Sequence, residues 1–591
     1  MRPPKHKWSD TDGSRGILMF AQQMREMLNP QTFESFRVYS LDTSARLKEA
    51  LELIDDVKRG RVPVATLQPV AEELSWSLSK DTAAKNLVPA EISSLLKVMK
   101  NKNNLDVEAF SAHIKLMQKL IGERYQETIE ERTLTIFSDP KNRTELRKLT
   151  GFYCSHIVNL GYSRRHVLKL VNEHFFDQPI QRIGRASLVK FFRKFDGKKK
   201  RFIVHAAVTK DLAHYLKGLG FQTRDISTLS TEQKNSLSEN HNYQNTPLAI
   251  EVFTDTFDPY GAMDFCYQTL SSQRAIAYLN PQGMQSEWGE IMHVTRARAK
   301  GGSPISKGDF LLNSPHKHTM RSGKHIKNIS KYAKNLQSNF DANSTERILS
   351  SINTASLART SSNPENQLIS LWSAIEVLLS EPQGQARIVH YASLITPCIT
   401  LRHTRRQVSA IYDELLISYR WKFRKLLRQV TSIQSSHEAL KFAHLMFLPE
   451  NEHLRTALCE ILVDNPLALH RVWKLQSDYQ DVKCTSRTLS DHSDRVRWQI
   501  HRVYRARNQL VHSGRMPSYL ESIILNLAEY YRSSVATIVT RAKLEDQDSD
   551  IDQIVAEIGI HYEILKSKLE GRSANTESIT ADDIALLMNL T

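Results

Sequence analysis

The sequence predicts a mainly α, multidomain protein with one small central α/β module. Apolar residues recur at intervals of three and four through most of the chain, as in ARLKEALELIDDVKRG (45–60) and EISSLLKVMK (91–100). Glycine and proline are scarce, at 21 and 19 of 591 residues, which argues against collagen-like, low-complexity and turn-dense all-β chains. Only residues 200–280 change character, alternating short β-like runs with helical ones. The length allows three or four domains at about 150 residues each.

Taken in order, residues 1–150 form a helical N-terminal module, read as a packing or docking element. Residues 151–295 hold a helix pair and then the α/β module. In the pair, Asn159-Leu160-Gly161-Tyr162-Ser163 supplies a glycine stop and a serine N-cap. Arg164, Arg165, His166 and Lys169 make this turn basic, a weak match to a helix–turn–helix. In the module, RFIVHAAVT and PLAIEVFT read as strands and KDLAHYLKGLG as a helix. Asp258 and Pro259 cap another helix, and RAIAYLN reads as a third strand. The module lacks G-x-G-x-x-G and G-x-x-x-x-G-K-[ST], so neither nucleotide-binding motif is present.

Residues 296–345 are a basic linker or RNA-binding segment. Between 296 and 334, ten Lys and Arg residues face one acid, Asp309. A solvated linker and a phosphate-binding surface both fit. His316, His318 and His325 stand among cations, which disfavours a metal site. Residues 346–545 are again helical, and 546–591 form an acidic and then amphipathic tail.

The whole chain carries 80 Lys and Arg against 64 Asp and Glu, a net +16, which suits a polyanionic partner such as nucleic acid. Five scattered cysteines without a C-x-x-C exclude a disulfide framework and a Cys-rich zinc site. No apolar h-region follows MRPPKHKWSD and no run of 18 apolar residues occurs. The expectation is a cytoplasmic protein without a membrane partner.

The chemistry concentrates in SDRVRWQIHRVYRARNQLVHSGR (493–515), with six arginines and one acid. Val496, Ile500, Val503 and Leu510 mark a buried helical stripe, and Arg507 occupies its missing position. An inward arginine is costly unless an anion pairs with it. Tyr504, Asn508 and His512 follow each other at i, i+4 and i+8, and Ser513-Gly514 ends the helix. An imidazole can take the proton of a ribose 2′-hydroxyl or give one to the leaving 5′-oxygen. A guanidinium stabilises the charge that grows on phosphorus. With the 2′-hydroxyl as nucleophile no metal or other cofactor is needed. A second R-x4-H, Arg487 to His492, lacks the Asn and reads as loop.

Arg507-Asn508-x3-His512 resembles the R-[polar]-x(3–5)-H signature of the HEPN superfamily of ribonucleases, set near the end of a long helix and followed by a turn and another long helix. Upstream, LISLWSAIEVLLS (368–380) resembles the first helix of the ApeA-like HEPN branch. The likeness covers about residues 350–545. The insert between the two helices, including Arg420 to Arg428 and 449–490, exceeds what a minimal bundle needs.

The resemblance implies a metal-independent endoribonuclease that cleaves cellular RNA or tRNA in anti-phage abortive infection, once a phage-derived trigger is sensed. It implies catalytic roles for Arg507, Asn508 and His512, supported by Tyr504 and by Glu376, which edges the stripe Leu368, Trp372, Ile375, Leu379 and is the candidate partner of Arg507. As a fully buried pair, Arg507 and Glu376 would hold about 3–5 kcal/mol against loss of one partner. The RNA-binding candidates are Arg502, Arg505 and Arg515, with Lys317, Arg321, Lys324 and Lys327 in the basic segment. The alternative is a non-catalytic RNA-binding or scaffold protein, and Gly13-Ser14 without a paired D-x-D disfavours a nucleotidyltransferase.

A homodimer, or a higher even oligomer, is also expected. One copy supplies one suitable imidazole, because His501 lies on another helical face and His492 reads as loop. The helix 518–542 also has more apolar positions than one contact face uses.

Overall fold

Side-chain caps fix where the principal helices begin. Thr11 accepts from the Ser14 N–H at the start of α1 (Asp12–Leu28), and Asp42 accepts from Ser44 and Ala45 at the start of α2 (Thr43–Lys58). The third N-terminal helix used below is α3 (Leu67–Lys80). The computed structural model describes residues 11–89, 106–177, 183–238, 248–279, 282–299, 301–307, 312, 330–336, 338–382, 384, 386–542, 549–573 and 577–589.

The chain divides into two compact units. The first draws on Met1–His156, Gln178–Leu188 and Leu311–Thr591, the second on Ile157–Asp177 and Val189–Phe310. The N-terminal helices and the C-terminal bundle therefore belong to one unit, where the sequence suggested separate modules at 1–150 and 346–545.

In this unit α4 (Ala342–Thr360) and α5 (Pro364–Leu378) form a hairpin. Asn363 caps α5 and Pro364 occupies its first turn, where a missing N–H costs nothing. Helices α6 (Arg387–Thr400), α7 (Val482–Ser513), α8 (Leu520–Ala542) and α9 (Ile551–Arg572) complete the bundle around Trp372, Ile395, Val496, Ile500, Val503 and Ile538. The segment expected as a tail supplies α9, which packs on α6, α7 and α8.

Helix α7 runs for 32 residues, about 48 Å at 1.5 Å per residue. Asp481 caps its start by accepting from the Cys484 N–H. It ends as the sequence predicts: Gly514 adopts φ +63°, and its N–H returns to the Leu510 carbonyl. Most of α8 is buried, on every side. Its apolar surplus, read in the sequence as a sign of dimerisation, is consumed inside the chain by α5, α6, α7 and α9.

A buried charge cluster joins the N-terminal helices to α7. Arg502 is 0% exposed. Its guanidinium donates to Glu49 on α2, at 3.0 and 2.8 Å, and to Glu73 on α3, at 3.1 Å with a second, shorter bond. Arg46 also bonds Glu73 (3.1 Å), and Arg505 bonds Glu49 (2.8 Å). Burial alone would raise the Glu49 and Glu73 carboxyl pKa values. The charges of Arg502 and its companions outweigh burial and hold both below their ordinary range.

The second unit contains a five-stranded, wholly antiparallel sheet in the order β2-β3-β1-β4-β5, with β1 (Lys200–Val208), β2 (Gln222–Asp225), β3 (Leu248–Thr256), β4 (Trp288–Arg296) and β5 (Gly302–Ser306). Phe202, Val204, Ile250, Val252, Met292 and Val294 face the helices Lys210–Gly218 and Pro259–Ala277. Asp258 caps the second of these as expected. RAIAYLN is not a strand. The capped helix runs through to Ala277 because Cys266, Leu270 and Ala277 keep helical spacing on its buried side. Strands β2, β4 and β5 escaped the sequence reading, and β5 falls in the segment read as a basic linker. Gly302 on β5 has to be glycine, since a Cβ would overlap the His293 ring and the Thr295 hydroxyl. At the basic turn, Ser163 holds the N-cap position without a side-chain cap bond, and the Asp258 carboxylate accepts its N–H at 2.7 Å.

Arg502→Met would leave Glu49 and Glu73 buried with fewer countercharges. Urea melts followed by helical circular dichroism should show a loss of about 3–5 kcal/mol. A loss under about 1 kcal/mol would mean that Arg46 and Arg505 suffice.

Candidate functional site

The candidate residues converge where the C-terminal end of α7 passes α5. Leucine, tryptophan and isoleucine on α5 bury one face of that helix and carry Glu376 to its edge. A guanidinium nitrogen of Arg507 lies 3.8 Å from Glu376 Oε2, with the two side chains 24% and 25% exposed. Glu376 Oε1 accepts the Trp372 indole N–H at 2.9 Å, and the Tyr504 ring packs 5.4 Å from the Trp372 ring. The sequence-expected pairing of Arg507 with Glu376 is thus present, but partly exposed and long. The fully buried pair considered from the stripe pattern does not form, because Arg507 sits where the buried stripe runs out toward the helix end.

Arg507 NH1 donates to Asn508 Oδ1 at 3.2 Å, while its Nε is buried without an acceptor. His512 is exposed, and among the described residues no hydrogen bond or ion pair engages its ring. Five residues at 100° place His512 about 140° around the helix from Arg507 and about 7.5 Å along it. Asn508 lies about 40° from His512 on the same outward ridge. One copy of the chain therefore gathers Arg507, Asn508 and Glu376, and displays the imidazole near the same helix end but turned well away from Arg507.

The proposed RNA-binding arginines separate into different classes. Arg502 is locked between Glu49 and Glu73 and has no exposed surface, so it cannot reach RNA. This corrects the sequence reading, which placed Arg502 among the RNA-binding residues. Arg505 is largely committed to Glu49, with its side chain 14% exposed. Arg515, just beyond the helix end, is exposed. Lys317, Arg321, Lys324 and Lys327 lie outside the described residues.

The second R-x4-H is helical, not loop: Arg487 and His492 belong to α7. Thr485, Leu489, His492 and Val496 continue its buried stripe upstream. His492 stacks on His403, ring centroids 3.6 Å apart and planes 20° from parallel. Neither His492 nitrogen has a hydrogen-bond partner, nor does His403 Nδ1. Burial, reinforced by Arg495 and Arg406, pushes both imidazoles well below their ordinary pKa. A neutral stacked pair in the core cannot serve as surface acid or base.

The sequence reading also missed the carboxylates of Glu49 and Glu73. Their signal was a charged residue on a buried helical stripe, as in Arg46, Glu49 and Leu53, spaced three and four apart. Among the described residues, no group of three or more His, Cys, Asp or Glu side chains could hold a metal ion. No described helix is long and apolar enough to cross a membrane. Comparisons with protein-family models, with curated proteins and with solved structures return no match.

Two outcomes follow from this geometry. Arg507→Ala should cost about 1 kcal/mol of stability or less in urea melts, the range of exposed ion pairs; a loss of 3 kcal/mol would mark a structural linchpin. The His403–His492 stack makes acid destabilising. The unfolded state binds protons that the folded state refuses, so stability falls as pH drops below about 6.5. Replacing His492 with Phe should reduce that slope, measured between pH 7.5 and 5.5, by up to about 1.4 kcal/mol per pH unit. An unchanged slope would show that the stack does not stay neutral.

Proposed function

We propose that the protein is a metal-independent endoribonuclease of the HEPN type, acting as an anti-phage abortive-infection effector on cellular RNA or tRNA when triggered. The observation that carries this reading is that one helix end displays an exposed imidazole, His512, unengaged among the described residues, and, five residues upstream, a partly exposed guanidinium, Arg507, whose ion pair with Glu376 is long at 3.8 Å. The order long helix, turn, long helix around the motif is the order that the family resemblance leads one to expect.

In the proposed reaction an imidazole takes the proton of the ribose 2′-hydroxyl as the 2′-oxygen bonds to phosphorus. The bond from phosphorus to the 5′-oxygen breaks, and a second imidazole protonates that oxygen. The products are a 2′,3′-cyclic phosphate and a free 5′-hydroxyl. Arg507 stabilises the charge on the phosphoryl oxygens, and Asn508 holds the guanidinium through its Oδ1. Since one copy offers a single imidazole here, the second is assigned to the His512 of a two-fold-related copy, in a homodimer or higher even oligomer. The apolar residues of α8 are buried within the chain and form no partner surface, so the second copy is called for by the count of proton-transfer groups. One feature favours the non-catalytic RNA-binding or scaffold reading: the Arg507 Nε is buried and its terminal nitrogens turn toward Asn508 and Glu376.

Purified protein incubated with total RNA or tRNA in EDTA should yield 2′,3′-cyclic phosphate ends. His512→Ala should reduce cleavage by about 100-fold or more without shifting the melting temperature. Cleavage that needs Mg²⁺, or that survives His512→Ala, would refute the mechanism. A light-scattering monomer with full activity would refute the shared site.

A further inference from the structure

A second polar site lies in the first unit, away from Arg507 and His512. A cavity of about 40 Å³ opens between the segment Glu34–Ser40, helices α2 and α3, and α7 and α8. One water needs about 10–15 Å³, so the space holds a few waters or one small oxyanion, and no nucleobase.

Three arginines and two carboxylates line it. Arg46 is committed to Glu73 and to the Ser77 hydroxyl. Glu73 in turn is saturated by Arg46 and Arg502. Arg37 gives its ends to the Leu525 carbonyl (2.9 Å) and to Glu529 (2.8 Å), but its Nε is buried with no acceptor. Arg495 makes one bond, from Nε to the Asp491 carbonyl (3.1 Å), and its guanidinium ends have no acceptor among the described residues. The wall therefore presents the guanidinium ends of Arg495, which have no anion among the described residues, and the unpartnered Nε of Arg37, whose ends are held by Glu529 and Leu525.

Neutral groups complete it. Ser40 and Gln499 hydrogen-bond to each other at 3.2 Å, and Asn526 approaches Ser40 at 3.5 Å. Beyond the wall the field stays positive: burial, with Arg471 and Arg495 nearby, pulls the Arg147 guanidinium below its ordinary pKa, and Arg147 has no ion pair among the described residues. Glu34 is the opposing charge. It is half-buried on the same wall, and among the described residues no arginine lies within ion-pair distance of it.

We propose that this cavity binds a phosphate-class oxyanion, held by the free ends of Arg495 and the Nε of Arg37, with the Asn526 amide as a neutral donor. The chemistry is that of a tetrahedral anion taking charge-assisted bonds from guanidinium. Free phosphate and the terminal phosphate of a nucleic acid share it. Arg495 stands twelve residues before Arg507 on α7, about 18 Å along the helix, so the site is distinct from the proposed reaction centre and does not depend on it.

Calorimetric titration of the full chain with inorganic phosphate, at ionic strength matched with chloride, tests this. One binding event is expected. Arg495→Gln should weaken it about tenfold or more, and Glu34→Gln should strengthen it, because a repelling carboxylate is removed. A 5′-phosphorylated dinucleotide that binds tighter than phosphate would identify a nucleic-acid end as the source; a weaker one would identify the free anion. Absence of phosphate binding, or affinities unchanged in the variants, would overturn the proposal and leave a water-filled cavity. Should Arg495→Gln not fold, Glu34→Gln decides alone: unchanged or weakened binding counts against the site.

Discussion

The buried guanidinium of Arg502 is the constraint on which the first unit depends. A charge with no exposed surface needs its counterions in place, and α7 itself offers none there. They come from α2 and α3, which fixes how the N-terminal helices seat on the bundle. The cluster is reciprocal, since each carboxylate is held by two arginines: Glu49 by Arg502 and Arg505, and Glu73 by Arg502 and Arg46. Such a network adds little net stability over a well-packed apolar contact, but it tolerates few alternative arrangements. Here its effect is to define one register between helices that are remote in sequence.

That register sets the candidate site. Ten residues separate Arg502 from His512, about 15 Å of helix. The upstream part of α7 is clamped by α2, α3, α6 and α8, whereas its last turn rises out of the packing and ends at the left-handed Gly514. Arg507 falls at the transition between the two. It is inward enough to face Glu376 and outward enough to remain partly wet. The helix end is thus rigidly placed while the groups it displays stay accessible.

The helical class, the Asp258-Pro259 helix start and the Gly514 stop were legible in the sequence, because each depends on residues near one another or on a simple period; the Arg507–Glu376 pairing, between distant residues, came from the family resemblance joined to the two helical stripes. What was not legible depends on partners far away. Arg502 read as an RNA contact, since nothing local shows that Glu49 and Glu73 meet it. RTLSDH read as loop because Ser, Thr and Asp favour turns, yet the Asp481 cap and the buried stripe through Leu489 and His492 carry the helix across it. RAIAYLN read as a strand on composition, where helical spacing with Cys266 and Leu270 prevailed. The surplus of apolar positions on α8 was real, but only the fold shows that the chain itself uses them.

The Arg502–Glu49 contact joins residues 453 positions apart. A ribosome adding about 5–20 residues per second makes the two partners roughly 20–90 s apart. Through that interval Glu49 lacks both of its arginines and Glu73 has only Arg46, and the helix that bears Arg507 and His512 has not been made. The helix that completes both the buried charge cluster and the candidate site therefore emerges long after the helices it pairs with. A polypeptide that stops short of α7 has neither, so activity at this site waits for α7 to be made.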